Sequence, residues 1–99
     1  MPADFRSLSL PVPGGAGTKV VEDTAIFNSP VVNADTALKG ILFDYSSGDH
    51  HINVLEASSS VIAITGNTVR VRVVIQFADV NFDDPYTGHV DVLVIANVV

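Results

Sequence analysis

VIAITGNTVRVRVVIQF, residues 61–77, decides how this chain folds. Two runs rich in β-branched residues, 61–65 and 68–77, flank the dipeptide Gly66-Asn67. Branching at Cβ favours extended backbone, and a two-residue Gly-Asn link tolerates the positive φ that tight hairpin turns demand. The stretch therefore predicts a β-hairpin. In its second arm Val69, Val71 and Val73 fall on one face, and Arg70 and Arg72 on the other.

The same period of two recurs on both sides of the hairpin. FRSLSLPV (residues 5–12) sets Arg6, Leu8 and Leu10 against Phe5, Ser7 and Ser9. TKVVEDTAIF (18–27), ALKGILFDY (37–45) and HINVLEA (51–57) read as further strands, with Gly40 marking a bulge or a close backbone approach. HVDVLVIANV (89–98) places Val90, Val92 and Val94 on one face, while His89, Asp91, Leu93 and Ile95 on the other turn apolar toward the C-terminus. A strand apolar on both faces has something packed on both sides. Breaks are expected at 11–17 (PVPGGAG), 46–49 (SSGD), 58–60 (SSS), 66–67 and 81–88 (NFDDPYTG). No window carries the i, i+3, i+4, i+7 pattern of an amphipathic helix. About six short strands in 99 residues predict one domain, residues 1–99: an all-β, six-stranded antiparallel β-sandwich or barrel.

A domain of this length buries only about 60–65% of the surface its unfolded chain exposes. Yet 47% of the residues are hydrophobic and the mean hydropathy is +0.40. That surplus fits strands buried on both faces or a subunit which buries a further face in a homo-oligomer, and the homo-oligomer is the expectation. Eleven acids against five bases give a formal charge of −6, and Arg70 and Arg72 form the one basic pair. This balance argues against nucleic acid and against an anionic membrane as partner. There is no cysteine, so neither a disulfide framework nor a thiolate metal site is possible. The N-terminus lacks the basic and apolar regions of a signal peptide, and no apolar run approaches the ~20 residues of a membrane helix. A soluble protein without membrane insertion is expected, its compartment unspecified.

Chemistry is sparsely encoded. His50 and His51 are neighbours, so on a strand they point to opposite faces and cannot readily share an ion. Asp83-Asp84 lacks the spaced oxygen ligands of a calcium loop. There is no Gly-x-Ser-x-Gly elbow, and PGGAG (13–17) lacks the lysine and following helix of a phosphate loop. Neither metal, cofactor nor enzymatic activity is expected. The one stretch suited to a ligand is QFADVNFDDPYTGHV (76–90). Phe77 closes a strand, Asp79 follows, Tyr86 is placed in the loop and His89 opens the next strand. Aromatic rings pack on the C–H face of a sugar and carboxylates accept from its hydroxyls, so this set suits a small polar ligand. The same residues have a purely structural reading, in which Phe77 is core and Pro85-Tyr86 anchors the turn.

The order of these features resembles the H-type lectins of snails and slime-mould discoidins. FNSP (27–30), ILFD (41–44), TGNTVRVRVVIQFADV (65–80) and YTGHVDVLVIA (86–96) are similar to that family's motifs, in the same order from about Gly14 onward. The resemblance implies a six-stranded sandwich that assembles as trimers, or multiples of three, and binds galactose or N-acetylgalactosamine glycans in clefts between subunits. It places the site at Gly14, Gly15 and Gly17 in the first loop, with His51 where the family opens a strand with arginine. Phe77 stands where the family has its stacking tryptophan, followed by Asp79 and then Tyr86. Ala78 and Val94 replace family residues that are a histidine and a tryptophan, and the loop between Val80 and Tyr86 is longer. The alternative expectation is a structural trimeric module, of the viral decoration or fibre-tip kind, that binds no sugar.

Overall fold

The computed structural model describes residues 2–46, 52–78 and 84–99. Six strands appear in chain order: β1 (Ala3–Val12), β2 (Lys19–Ile26), β3 (Val31–Tyr45), β4 (Val54–Thr65), β5 (Thr68–Ala78) and β6 (Tyr86–Val98). They form two three-stranded antiparallel sheets, ordered β1-β6-β3 and β2-β5-β4. The fold is a six-stranded antiparallel β-sandwich, and no helix occurs among the described residues.

Alternation dictates the core. Val69, Val71, Val73 and Ile75 of β5 face Val90, Val92, Val94 and Ala96 of β6, and all are buried. The opposite face of β5 carries Arg70 and Arg72 to solvent, as its pattern predicts. β5 and β6 are the two central strands, so every other strand is an edge. Two lateral seams follow, one where β1 lies beside β2 and one where β3 lies beside β4. Arg6 closes the first at one end: its Nε donates to the Ile26 carbonyl at 2.9 Å and its guanidinium sits 4.8 Å above the Phe27 ring. The Thr36 and Ser59 hydroxyls, 2.8 Å apart, link β3 to β4 across the second. The molecule measures 49 × 18 × 16 Å, with a radius of gyration of 15.4 Å. An ordinary domain of 100 residues has about 13 Å, so this one is a rod.

The predicted hairpin is present. Gly66 has φ +57°, and Thr65 pairs with Thr68. Asn67 also ties the turn to the β2–β3 connection, since its Nδ2 donates to the Phe27 carbonyl at 2.8 Å. Gly40 marks a bulge, where the β3 register shifts between Leu38 and Gly40. Three boundaries differ from expectation. The serines at 58–60 do not break the chain; they lie mid-strand in β4. Serine there costs little, because an edge strand needs apolar side chains on few positions. β3 begins six residues earlier than the apolar pattern indicates. Tyr86 is the first residue of β6 rather than a loop residue, because it pairs with Tyr45 of β3.

Gly88 lets β3 and β6 approach. Its φ is +154°, and a Cβ there would lie 1.7 Å from the Leu42 carbonyl oxygen. Gly88→Ala is expected to cost about 3 kcal/mol, from backbone strain plus displacement of β3. At about 4–8 °C per kcal/mol in a domain of this size, its melting temperature should fall by more than 10 °C. The control is Gly40→Ala, whose new Cβ would meet Asp91 Oδ2 at an ordinary 3.8 Å. It should change stability by no more than about 0.5 kcal/mol.

Candidate functional site

Five of the seven residues singled out by sequence lie together at one end of the rod. Tyr86 binds the first loop from both ends of the residue. Its backbone N–H donates to the Gly15 carbonyl at 2.9 Å, and its hydroxyl donates to the Gly17 carbonyl at 2.7 Å. Phe77 meets the Tyr86 ring edge-on, with centroids 5.7 Å apart. Phe43 and Tyr45 of β3 complete the cluster: Tyr45 stacks on Phe77 at 4.5 Å and Phe43 lies 5.5 Å from it. Gly14 belongs to the same loop, with Thr87 as its neighbour. His51 and Asp79 lie outside the described residues, as do His50 and Asp83.

The rings point inward. Phe77 is 5% exposed and Tyr86 fully buried, their faces taken by other side chains of the same chain. Offset and edge-on pairs of this kind contribute about 0.5–1.5 kcal/mol each beyond the area they bury. The expectation that these two rings offer free faces for a sugar to stack on is corrected accordingly: both are core. Period-two alternation runs unbroken through Phe77 and sets it in the row of Val71, Val73 and Ile75, which points inward. Pairing with Tyr45 puts Tyr86 in the inward row of Val90 and Val92.

Lys19 is a residue that the sequence reading missed. It is 8% exposed. Its ammonium donates to the Tyr86 carbonyl at 2.7 Å and to the Pro13 carbonyl, and it lies 3.5 Å from the centroid of the Tyr86 ring. Burial lowers its pKa from the usual lysine value, because the charged form loses water. Burial likewise raises that of Tyr86, against a smaller lowering by the Phe77 backbone. Lys19, Tyr86 and the loop of residues 14–17 thus form a closed strap. The available signal was parity: Lys19 alternates with Val21 and Ala25 on one face of β2.

Beside the strap, between β1 and β2, runs a groove of about 480 Å³ lined by Leu10, Pro11, Pro13, Val21, Glu22 and Asp23. Its proline walls are apolar and its rim is acidic. Glu22 is held from the outer face of the sheet, where Arg70 Nε donates to Oε1 at 2.9 Å and Arg72 Nε to Oε2 at 3.0 Å. Hydrogen bonds from Arg72 and Arg70 lower its pKa from the usual glutamate value. On the other sheet, His89 Nε2 lies 3.8 Å from Asp91 Oδ2 in the open. Among the described residues, no three His, Cys, Asp or Glu side chains lie close enough to share a metal ion. Among the described residues, no helix is long and apolar enough to cross a membrane.

No family model, curated protein or solved structure matches this chain.

The strap predicts a ranked stability series. Lys19→Met strands two carbonyls and should cost about 2 kcal/mol in urea unfolding. Tyr86→Phe removes one hydroxyl bond and should cost about 1 kcal/mol, whereas Tyr86→Ala also empties the cluster and should cost about 3–5 kcal/mol.

The Glu22 clamp predicts a pH dependence. Its folded pKa lies below the unfolded value of 4.5, so the unfolded chain binds more protons through that window. The clamp's stabilisation is fully present above 4.5 and is lost as pH falls through the folded pKa. Glu22→Gln should flatten the acid limb of a stability-versus-pH curve between pH 5 and 3 relative to wild type, while leaving it unchanged in shape above pH 6.

Proposed function

We propose that this protein is a self-associating β-sandwich building block that works as a homo-oligomer. One observation carries the reading: large apolar side chains stay exposed on both strands that flank the β3–β4 seam. Leu38 and Ile41 belong to the inward row of β3, opposite Val92 and Val90, yet each is 43% exposed. Leu55, Ile62 and Ile64 of β4 extend the set along the rod. Isolated exposed apolar residues are ordinary, but contiguous ones mark interaction surfaces. The aromatic side chains that could have served a ligand are spent instead on the core, which favours a structural role.

A second reading, glycan recognition in clefts between three copies, is favoured by the groove beside the strap. Apolar proline walls next to the carboxylate of Asp23 suit a sugar's two kinds of surface, and the resemblance to H-type lectins points to galactose-type glycans. In this reading the ligand contacts come from the groove and the first loop, not from Phe77 and Tyr86.

Light scattering coupled to size exclusion at micromolar concentration tests the first reading. A stable oligomer is the expected outcome, and a single-copy mass sinks it. A glycan array on the same sample separates the two readings. Binding of galactose-type glycans that Asp23→Asn loses, with the oligomer intact, establishes the second. An intact oligomer that binds no glycan leaves the structural role.

A further inference from the structure

The four edge strands are not equally guarded. Natural sheets blunt their edges with charge, proline and bulges, because an open edge presents N–H and C=O groups to any extended chain. β1 carries Asp4, Arg6 and Pro11; β2 carries Lys19, Glu22 and Asp23; β3 carries Asp35, Asp44 and, at its bulge, Lys39. β4 has Glu56 near its start and then nine residues, 57–65, with neither charge nor proline. Its one irregularity is a register shift between Val61 and Ala63, beyond the serine stretch.

We infer that β4 pairs antiparallel with β4 of a second copy about a two-fold axis, joining the two β2-β5-β4 sheets into one six-stranded sheet. The inference rests on the self-association proposed above and names its contact. The occupant is a second copy because β4 is the one unguarded edge: pairing it with β1, β2 or β3 sets charges or a proline against the ladder. Pairing it with itself does not. A two-fold centre at Ser58 puts Leu55 opposite Val61, Ala57 opposite Ser59 and Glu56 opposite Ser60, so like rows share a face. Glu56 then lies four residues from its own mate, clear of like-charge contact. The seam brings Leu38 and Ile41 to the same side, where a second copy covers them. That side of the rod measures 49 by 16–18 Å and so projects roughly the 800 Å² per partner of a standard interface. Such a contact is isologous, so the assembly holds an even number of copies.

The test uses the full chain and two charge variants at Ser58, the exposed β4 position that faces its own mate across the two-fold, Ser58→Lys and Ser58→Asp. Light scattering should report an even-numbered wild-type assembly, with each variant alone at half that mass. Circular dichroism should stay β-type in both, since neither side chain enters the core. Mixing the two variants should restore the wild-type mass, because Lys then meets Asp across the seam. Hydrogen exchange should show the alternate amides of residues 57–61 that point away from β5 protected in wild type and in the mixture, and exposed in each variant. A single-copy wild type overturns both this contact and self-association. A three-copy wild type, or an oligomer whose mass neither variant changes, overturns the β4 contact and leaves self-association standing.

Discussion

The packing of β5 against β6 is the constraint on which everything else depends. Each sheet has three strands, so one strand per sheet is flanked on both sides. Val69, Val71, Val73 and Ile75 meet Val90, Val92, Val94 and Ala96 in a core one strand wide and most of the rod long. Each buried valine or isoleucine contributes about 2 kcal/mol relative to exposure, and their stiff β-branched side chains fill a pleated surface without loss of rotamer freedom. A core this narrow cannot also cover its flanks. Inward-facing residues on β3, such as Leu38 and Ile41, therefore emerge at the seam. The surplus hydrophobicity of the composition and the elongated shape are two expressions of the same geometry.

The aromatic end obeys a different logic. There the sandwich must accommodate the Gly-rich connection from β1 to β2, which has few side chains of its own. Tyr86 supplies them from the other sheet: its ring fills the gap, and its N–H and hydroxyl satisfy loop carbonyls. Lys19 does the same from β2. A buried ammonium is costly unless its hydrogens find acceptors. Two carbonyls and a ring face meet that need here. The strap thus turns a loop with little intrinsic order into part of the core's edge, and it fixes the near wall of the adjoining groove.

How much was legible in the sequence follows from how local each signal is. Gly66-Asn67 declares a turn in two residues, and the alternation of valines and arginines declares both faces of β5. Gly40 declared its bulge. The serines of β4 misled because their polarity resembles a loop, although a strand at a sheet edge tolerates polar side chains. Tyr86 misled because Pro85 and two aspartates precede it, while its strand position depends on a partner 41 residues away at Tyr45. Phe77 and Tyr86 show the limit for sites: an aromatic residue that anchors a core and one that stacks on a ligand look alike until burial is known. Lys19 went unseen because lysine is among the residues least often buried.

Charge placement joins these features into one picture of the surface. All five basic side chains are engaged within the chain: Arg6 with Asp4 and the Ile26 carbonyl, Lys19 in the strap, Lys39 with Ser7, and Arg70 and Arg72 with Glu22. None of the five lysine and arginine side chains is left uncommitted. The net charge of −6 sets copies of the chain against one another at long range. That repulsion is screened beyond about 8–10 Å at physiological ionic strength, whereas apolar contact and strand pairing act only on touching. Association is then decided at the edges, and the least charged edge is where it meets the least resistance. In the proposed contact, the uncharged stretch of β4 is the edge where that repulsion is weakest.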